Sequence, residues 1–140
     1  MIFIDTGAFI ARYVERDQYH NRAVECWSIL EKARDRCFTS NAVLNETFTL
    51  LGRFDGYPFA AQRAANIYSS TALTILRSNH DDEVNALGFF RKYADQRVSF
   101  TDCLSFVLMR KQKITRAFTF DRHFALAGFS IIPKETAHEK

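Results

Sequence analysis

Ile2-Phe3-Ile4-Asp5-Thr6-Gly7 opens the chain with three consecutive apolar residues cut off by an acid. A strand with one face in water alternates apolar and polar side chains. A short unbroken apolar run therefore predicts a strand buried on both faces, the habit of parallel sheets. Asp5-Thr6-Gly7 then reads as a turn. Comparable runs follow at Cys37-Phe38-Thr39, at Leu73-Thr74-Ile75-Leu76, at Ala117-Phe118-Thr119-Phe120 before Asp121, and at Gly128-Phe129-Ser130-Ile131-Ile132 before Pro133. Between them the apolar spacing changes to steps of three and four, which predicts helices. One spans Tyr19 to Ala33. A second is capped by Ser40 or Asn41, carries Leu44, Phe48 and Leu51 on one face, and ends at Gly52 or Gly56. A third starts near Pro58 and runs to about Ser69, and a fourth is capped within Asn79–Asp82 and runs to Tyr93. The last runs from about Asp102 to Lys111 behind Ser99 or Thr101. Strands alternating with helices imply an α/β fold: a parallel sheet of about five strands, covered by helices on both faces.

The chain's 140 residues suit a single domain spanning 1–140, and 47% hydrophobic residues with 14 Phe suffice for one well-filled core. No apolar stretch reaches the roughly 18 residues of a membrane span, and Asp5 interrupts the N-terminus before a signal-peptide core could form. No membrane and a cytoplasmic location are expected. Cys26, Cys37 and Cys103 form an odd set without C-x-x-C spacing, which points to reduced thiols rather than a disulfide framework or structural zinc. A formal net charge of +3 is compatible with a polyanionic partner without arguing for one.

Asp5 and Asp121 each follow an apolar strand, at its carboxyl end. Helices covering a parallel sheet run opposite to the strands, so their N-termini collect on that same edge, and Glu46 and Asp102 are expected in the first turns of theirs. Ligand sites of open α/β sheets form along this edge. Each acid alone fits a turn, a helix cap or a solvated helix face. Together they cannot all stay ionised at close range, because each negative charge disfavours the next. Protonation relieves the repulsion, and so does a hard divalent cation. An all-carboxylate set without His or Cys suits Mg²⁺ or Mn²⁺ better than Zn²⁺, and Mg²⁺ usually shares its site with substrate phosphate. Phosphodiester chemistry, hence a nuclease, is the natural reading.

With those residues in view, the chain resembles PIN-domain proteins, and among them the VapC-type toxins of toxin–antitoxin pairs. The resemblance spans essentially the whole chain. It rests on Phe3-Ile4-Asp5-Thr6-Gly7-Ala8-Phe9, on Thr39-Ser40-Asn41 leading to Asn45-Glu46-Thr47, on Ser99-Phe100-Thr101-Asp102-Cys103, and on Phe118-Thr119-Phe120-Asp121-Arg122-His123-Phe124. It implies a PIN-like fold and a Mg²⁺- or Mn²⁺-dependent endoribonuclease. The expected form is a homodimer silenced by a cognate antitoxin. Asp5, Glu46, Asp102 and Asp121 match the family's acidic quartet, and Thr6 matches the small hydroxyl beside the first acid.

On this reading Asp5, Asp102 and Asp121 are metal ligands. Glu46 is a ligand or orients the attacking water, and Thr6 supports a carboxylate, a water or the scissile phosphate. Asn41 is expected as an N-cap, with substrate contact or fixing of Glu46 as the alternative, and Arg122 is the best-placed phosphate contact. Asp95 falls outside the site. His20, His80, His123 and His138 show no ligand pairing and read as surface or packing residues. The basic run Arg110, Lys111, Lys113 and Arg116 reads as cations gathered at a helix C-terminus before it reads as an RNA grip. Cys103 lacks a His partner and reads as inert. A P-loop is absent, and Gly7 stands where an aspartyl-phosphate enzyme would need its second acid. Two alternatives stay open: a non-catalytic PIN-like module that binds RNA or protein, and an RNA-processing nuclease that is not a toxin.

Overall fold

A computed structural model describes residues 1–135. Five strands form one sheet: β1 (Ile2–Ile4), β2 (Cys37–Ser40), β3 (Leu73–Leu76), β4 (Arg116–Phe118) and β5 (Ser130–Ile132). All four neighbouring pairs are parallel, in the order β3-β2-β1-β4-β5. The helices are α1 (Thr6–Tyr13), α2 (His20–Lys32), α3 (Asn41–Asp55), α4 (Tyr57–Ser69), α5 (His80–Lys92), α6 (Phe100–Lys111) and α7 (His123–Leu126). No described helix is long and apolar enough to cross a membrane. The expected α/β fold with its five-stranded parallel sheet is thus observed.

From β1 the chain steps outward through β2 to β3, then returns to lay β4 on the other side of β1. That reversal opens a crevice between the carboxyl ends of β1 and β4, the place where doubly wound sheets bind ligands. The core beneath it is aromatic. Phe3, Phe9, Phe106, Phe118 and Phe124 are fully buried, with Phe106 set edge-on against Phe124 at 5.1 Å and Trp27 tilted over Phe118 at 5.2 Å.

Three local expectations change. Asp5-Thr6-Gly7 is no turn, because α1 starts at Thr6 immediately after the strand. Asp5 is its extended N-cap position, φ −90° and ψ 165°. Gly7 is a helical residue, and a Cβ there would meet nothing closer than Phe120 N at 3.9 Å. Strand β4 stops at Phe118 rather than Phe120, because Thr119 Oγ1 accepts from the Asp121 N–H at 3.0 Å and bends the chain away. Glu46 lies in the second turn of α3, not the first, and is exposed. The helix buries Val43, Leu44, Thr47 and Leu51, and a period of 3.6 turns Asn45 and Glu46 outward between them.

Candidate metal centre

At the crevice a pocket of about 430 Å³ is lined by Asp5, Glu46, Asp102 and Asp121, together with Thr6, Asp17, Arg97, Ser99 and His123. Each acid arrives on a different element. The Asp5 backbone N–H donates to the Phe118 carbonyl at 3.0 Å, which locks the end of β1 to the end of β4. Asp102 is in the first turn of α6, where Ser99 Oγ caps the helix by accepting from the Asp102 N–H at 3.1 Å. Asp121 is fixed from both sides, its N–H on Thr119 and its Oδ1 accepting from the His123 N–H at 2.8 Å. Thr119 Oγ1 also donates to Asp5 Oδ2 at 2.8 Å, so one buried hydroxyl ties together two acids that lie 116 positions apart in the chain.

Asp5 and Asp102 are buried, 5% and 7% exposed, and this decides the electrostatics. Loss of solvation is the main reason that Asp5 is pushed up to about 7, with Thr119 pulling the other way and Asp121 and Glu46 adding repulsion. Asp102 rises further, to about 9, again chiefly by desolvation, then by the charges of Asp5 and Asp121 and a hydrogen bond shared with Asp121. Each carboxylate resists ionisation as long as no cation sits among them.

The tightest group is Asp102, Asp121 and His123, whose ligand atoms all lie within 4.8 Å of one another. Asp5 and Glu46 line the same pocket without joining that group. The donor set fits a divalent cation on two grounds. Two buried carboxylates, Asp5 and Asp102, share the pocket with the half-buried Asp121, and Thr6 is 6% exposed with a buried Oγ1 that has no hydrogen-bond partner. A bound ion, water or phosphate is what such an orphan hydroxyl lacks.

Other expected site residues sit elsewhere. Asn41 is the first residue of α3, not its cap, which is Ser40, and it does not line the pocket. Arg122 lines a separate recess beside Pro133 and bonds Glu135 at 2.8 Å. Three of the four residues of the basic run have structural partners: Lys111 pairs with buried Asp82 at 3.2 Å, Arg110 lies over Phe89 at 4.9 Å, and Arg116 bonds Asp35 at 2.8 Å. His138 lies outside the described residues. Two pocket residues lie outside the set expected from the sequence: His123, expected as surface or packing, and Arg97, held in a left-handed backbone at φ 57°. Asp17 also lines the pocket and spends its Oδ1 on the Tyr19 N–H at 2.8 Å. The spacing of Asp121 and His123, two apart at the end of a strand run, was the available signal for His123.

The family model described as PIN domain matches residues 2–130. This chain belongs to the PIN-domain family. Within it the relatives are VapC-type toxins, and the chain belongs with them. It is 37% identical over 129 residues to the 23S rRNA-specific endonuclease VapC20 of Mycobacterium tuberculosis, covering 92% of this chain and 95% of that protein. A VapC ribonuclease of Archaeoglobus fulgidus is 30% identical over 125 residues, covering 88% and 78%. The crystal structure of the M. tuberculosis VapC20, a sarcin-ricin loop cleaving toxin, superposes on this PIN domain with a TM-score of 0.83 at 35% identity, covering 92% and 96% of the two chains. VapBC2 of Rickettsia felis, crystallised with a promoter DNA fragment, shares the fold alone, with a TM-score of 0.67 at 14% identity and coverage of 94% and 97%.

Proposed function

We propose that this PIN domain is a metal-dependent endoribonuclease, the toxin of a toxin–antitoxin pair, which hydrolyses RNA phosphodiester bonds in the acidic pocket with Mg²⁺ or Mn²⁺. The observation that carries the reading is the pair of buried carboxylates, Asp5 and Asp102, gathered with Asp121 beside the orphan Thr6 hydroxyl at the reversal point of the sheet. Burial of two acids beside a third costs stability unless a cation offsets it.

When bound, a divalent metal lowers the pKa of water and offsets negative charge building on phosphate oxygens. Asp5, Asp102 and Asp121 are assigned to hold it. Thr119 keeps Asp5 and Asp121 in register, a positioning role through its two hydrogen bonds. Glu46, exposed on α3, has the freedom to orient the attacking water or accept its proton. Thr6 Oγ1 donates to a phosphate oxygen or water, and Arg97 at the rim draws the RNA backbone toward an otherwise anionic hollow.

The M. tuberculosis relative is named for 23S rRNA, so ribosomal RNA is the first substrate class to try. A cognate antitoxin and a second copy of the chain are the expected partners, and one domain over residues 1–140 is the expected unit. Incubation of the full chain with total cellular RNA and Mn²⁺ or Mg²⁺ should produce discrete cut ends that EDTA abolishes and added Mn²⁺ restores. Cleavage that persists under EDTA refutes the mechanism. RNA bound but left whole in the presence of metal favours the non-catalytic module instead.

A further inference from the structure

His123 stands among the acids rather than behind them. Its Nδ1 is buried, 3.0 Å from Asp121 Oδ1 and 3.5 Å from Asp102 Oδ2, yet it forms no hydrogen bond with either. An ordinary ion pair would aim the N–H at a carboxylate oxygen. Contact at that range without the matching direction is the arrangement of donors facing a shared centre. Donor atoms each about 2.1 Å from one six-coordinate ion sit about 3.0 Å apart along a cis edge of the octahedron. The 3.0 Å separation from Asp121 matches that edge, and the 3.5 Å separation from Asp102 is somewhat longer. The backbone holds the ring in place, because the His123 N–H closes a turn onto Asp121 Oδ1 at 2.8 Å. Independently of these three side chains, the nearly buried Thr6 presents an unpartnered Oγ1 to the same pocket.

We propose that His123 is a nitrogen ligand, through Nδ1, of the divalent cation held by Asp102 and Asp121, and that it gives this pocket a preference for Mn²⁺ over Mg²⁺. This rests on the metal-dependent reading of the pocket and goes beyond the acidic quartet. The preference follows from donor chemistry: Mg²⁺ favours oxygen and water, whereas Mn²⁺ accepts an imidazole nitrogen. Replacing one oxygen of an all-carboxylate set by nitrogen shifts selectivity without adding charge.

The test needs only the metal-free full chain and the two ions. Calorimetric titration with Mn²⁺ and with Mg²⁺ gives the ratio of affinities, and pulsed electron paramagnetic resonance on the Mn²⁺-loaded protein reports a directly bonded nitrogen. The wild type should show the ¹⁴N coupling. His123→Gln should lose it and reduce the Mn²⁺-over-Mg²⁺ ratio about tenfold. His123→Asn serves as the second variant should the first melt early. A wild-type spectrum without nitrogen coupling, coupling that survives both substitutions, or an unchanged ratio overturns the assignment while leaving metal binding intact. A wild type that takes up neither ion overturns the metal-dependent reading as well.

Discussion

The two edges of the sheet carry opposite chemistry. At the carboxyl edge, where β1 and β4 end and α1 and α6 begin, a pocket of about 430 Å³ gathers Asp5, Asp102, Asp121 and Glu46. At the amino edge, where β2 and β3 begin and α1, α2 and α4 finish, a larger cleft of about 710 Å³ is lined by Arg12, Arg34, Arg36 and Arg63 around an aromatic wall. Helix dipoles favour each arrangement, since N-termini stabilise anions and C-termini cations. The edges differ in how the charge is settled. Three cations at the amino edge have local partners: Arg12 lies over Trp27 at 4.6 Å, Arg63 over Phe59 at 5.1 Å, and Arg116 bonds Asp35 at 2.8 Å. The buried acids of the carboxyl edge face one another and His123. The smaller pocket, not the larger cleft, is where buried like charges face one another.

The largest effect should come from removing a buried acid. Asp102→Asn keeps the side-chain volume and takes away a charge from the tight group, so Mn²⁺ affinity and RNA cleavage should each fall by at least about 100-fold. The metal-free variant should melt higher than the wild type, by the equivalent of roughly 1 kcal/mol, because a desolvated and repelled carboxylate is gone. A melt that drops instead would mean that Asp102 is structurally settled like the acids of the opposite edge, and the contrast would fail.

Acidity provides the next break point. Asp5 and Asp102 have folded-state pKa values raised to about 7 and about 9, above the unfolded carboxylate value of 3.8. Between these values the folded state holds more protons than the unfolded one, so metal-free stability falls as pH rises. The loss starts near the unfolded value and is complete for Asp5 above about 7 and for Asp102 above about 9. Asp35 at the amino edge is held below its ordinary value by Arg116. Its contribution therefore has the opposite sign: complete above the carboxylate range and lost only in acid. Denaturant melts from pH 5 to pH 9 should show stability declining by roughly 1–4 kcal/mol in the wild type. Most of that slope should disappear in Asp102→Asn. Equal slopes in the two proteins would sink the account.

The sheet was legible because each strand is a short apolar run stopped by a polar residue or a proline, and the helices between have strong caps such as Ser40, Asn79 and Ser99. Helix α1 escaped notice: eight residues beginning Thr6-Gly7 look like a turn, and only the packing of Phe9 and Ile10 makes them a helix. Which acids share an edge could be read from strand polarity and helix direction. How they are held could not. Thr119 joins Asp5 to Asp121 across a chain separation that no local pattern encodes. His123 acquires meaning only when α6 brings Asp102 beside it, and Glu46 faces outward because of helical phase rather than residue type.

The smallest effect belongs to the settled edge, and its value lies in what should stay unchanged. Arg12 covers Trp27, whose Nε1 donates to the Ala8 carbonyl at 3.2 Å within the same helix that Asp5 begins. Arg12→Ala removes a partly exposed cation–π contact, worth about 0.5–1 kcal/mol, which corresponds to a fall of about 2–4 °C in melting temperature. Because a charge at the end of α1 acts on the far edge only through one helix and through solvent screening, Mn²⁺ affinity should match the wild type within error. Calorimetric titration beside a thermal melt checks both halves. Metal affinity that falls together with stability would show that α1 transmits strain from the cationic cleft to Asp5, and the two edges would have to be treated as one coupled site.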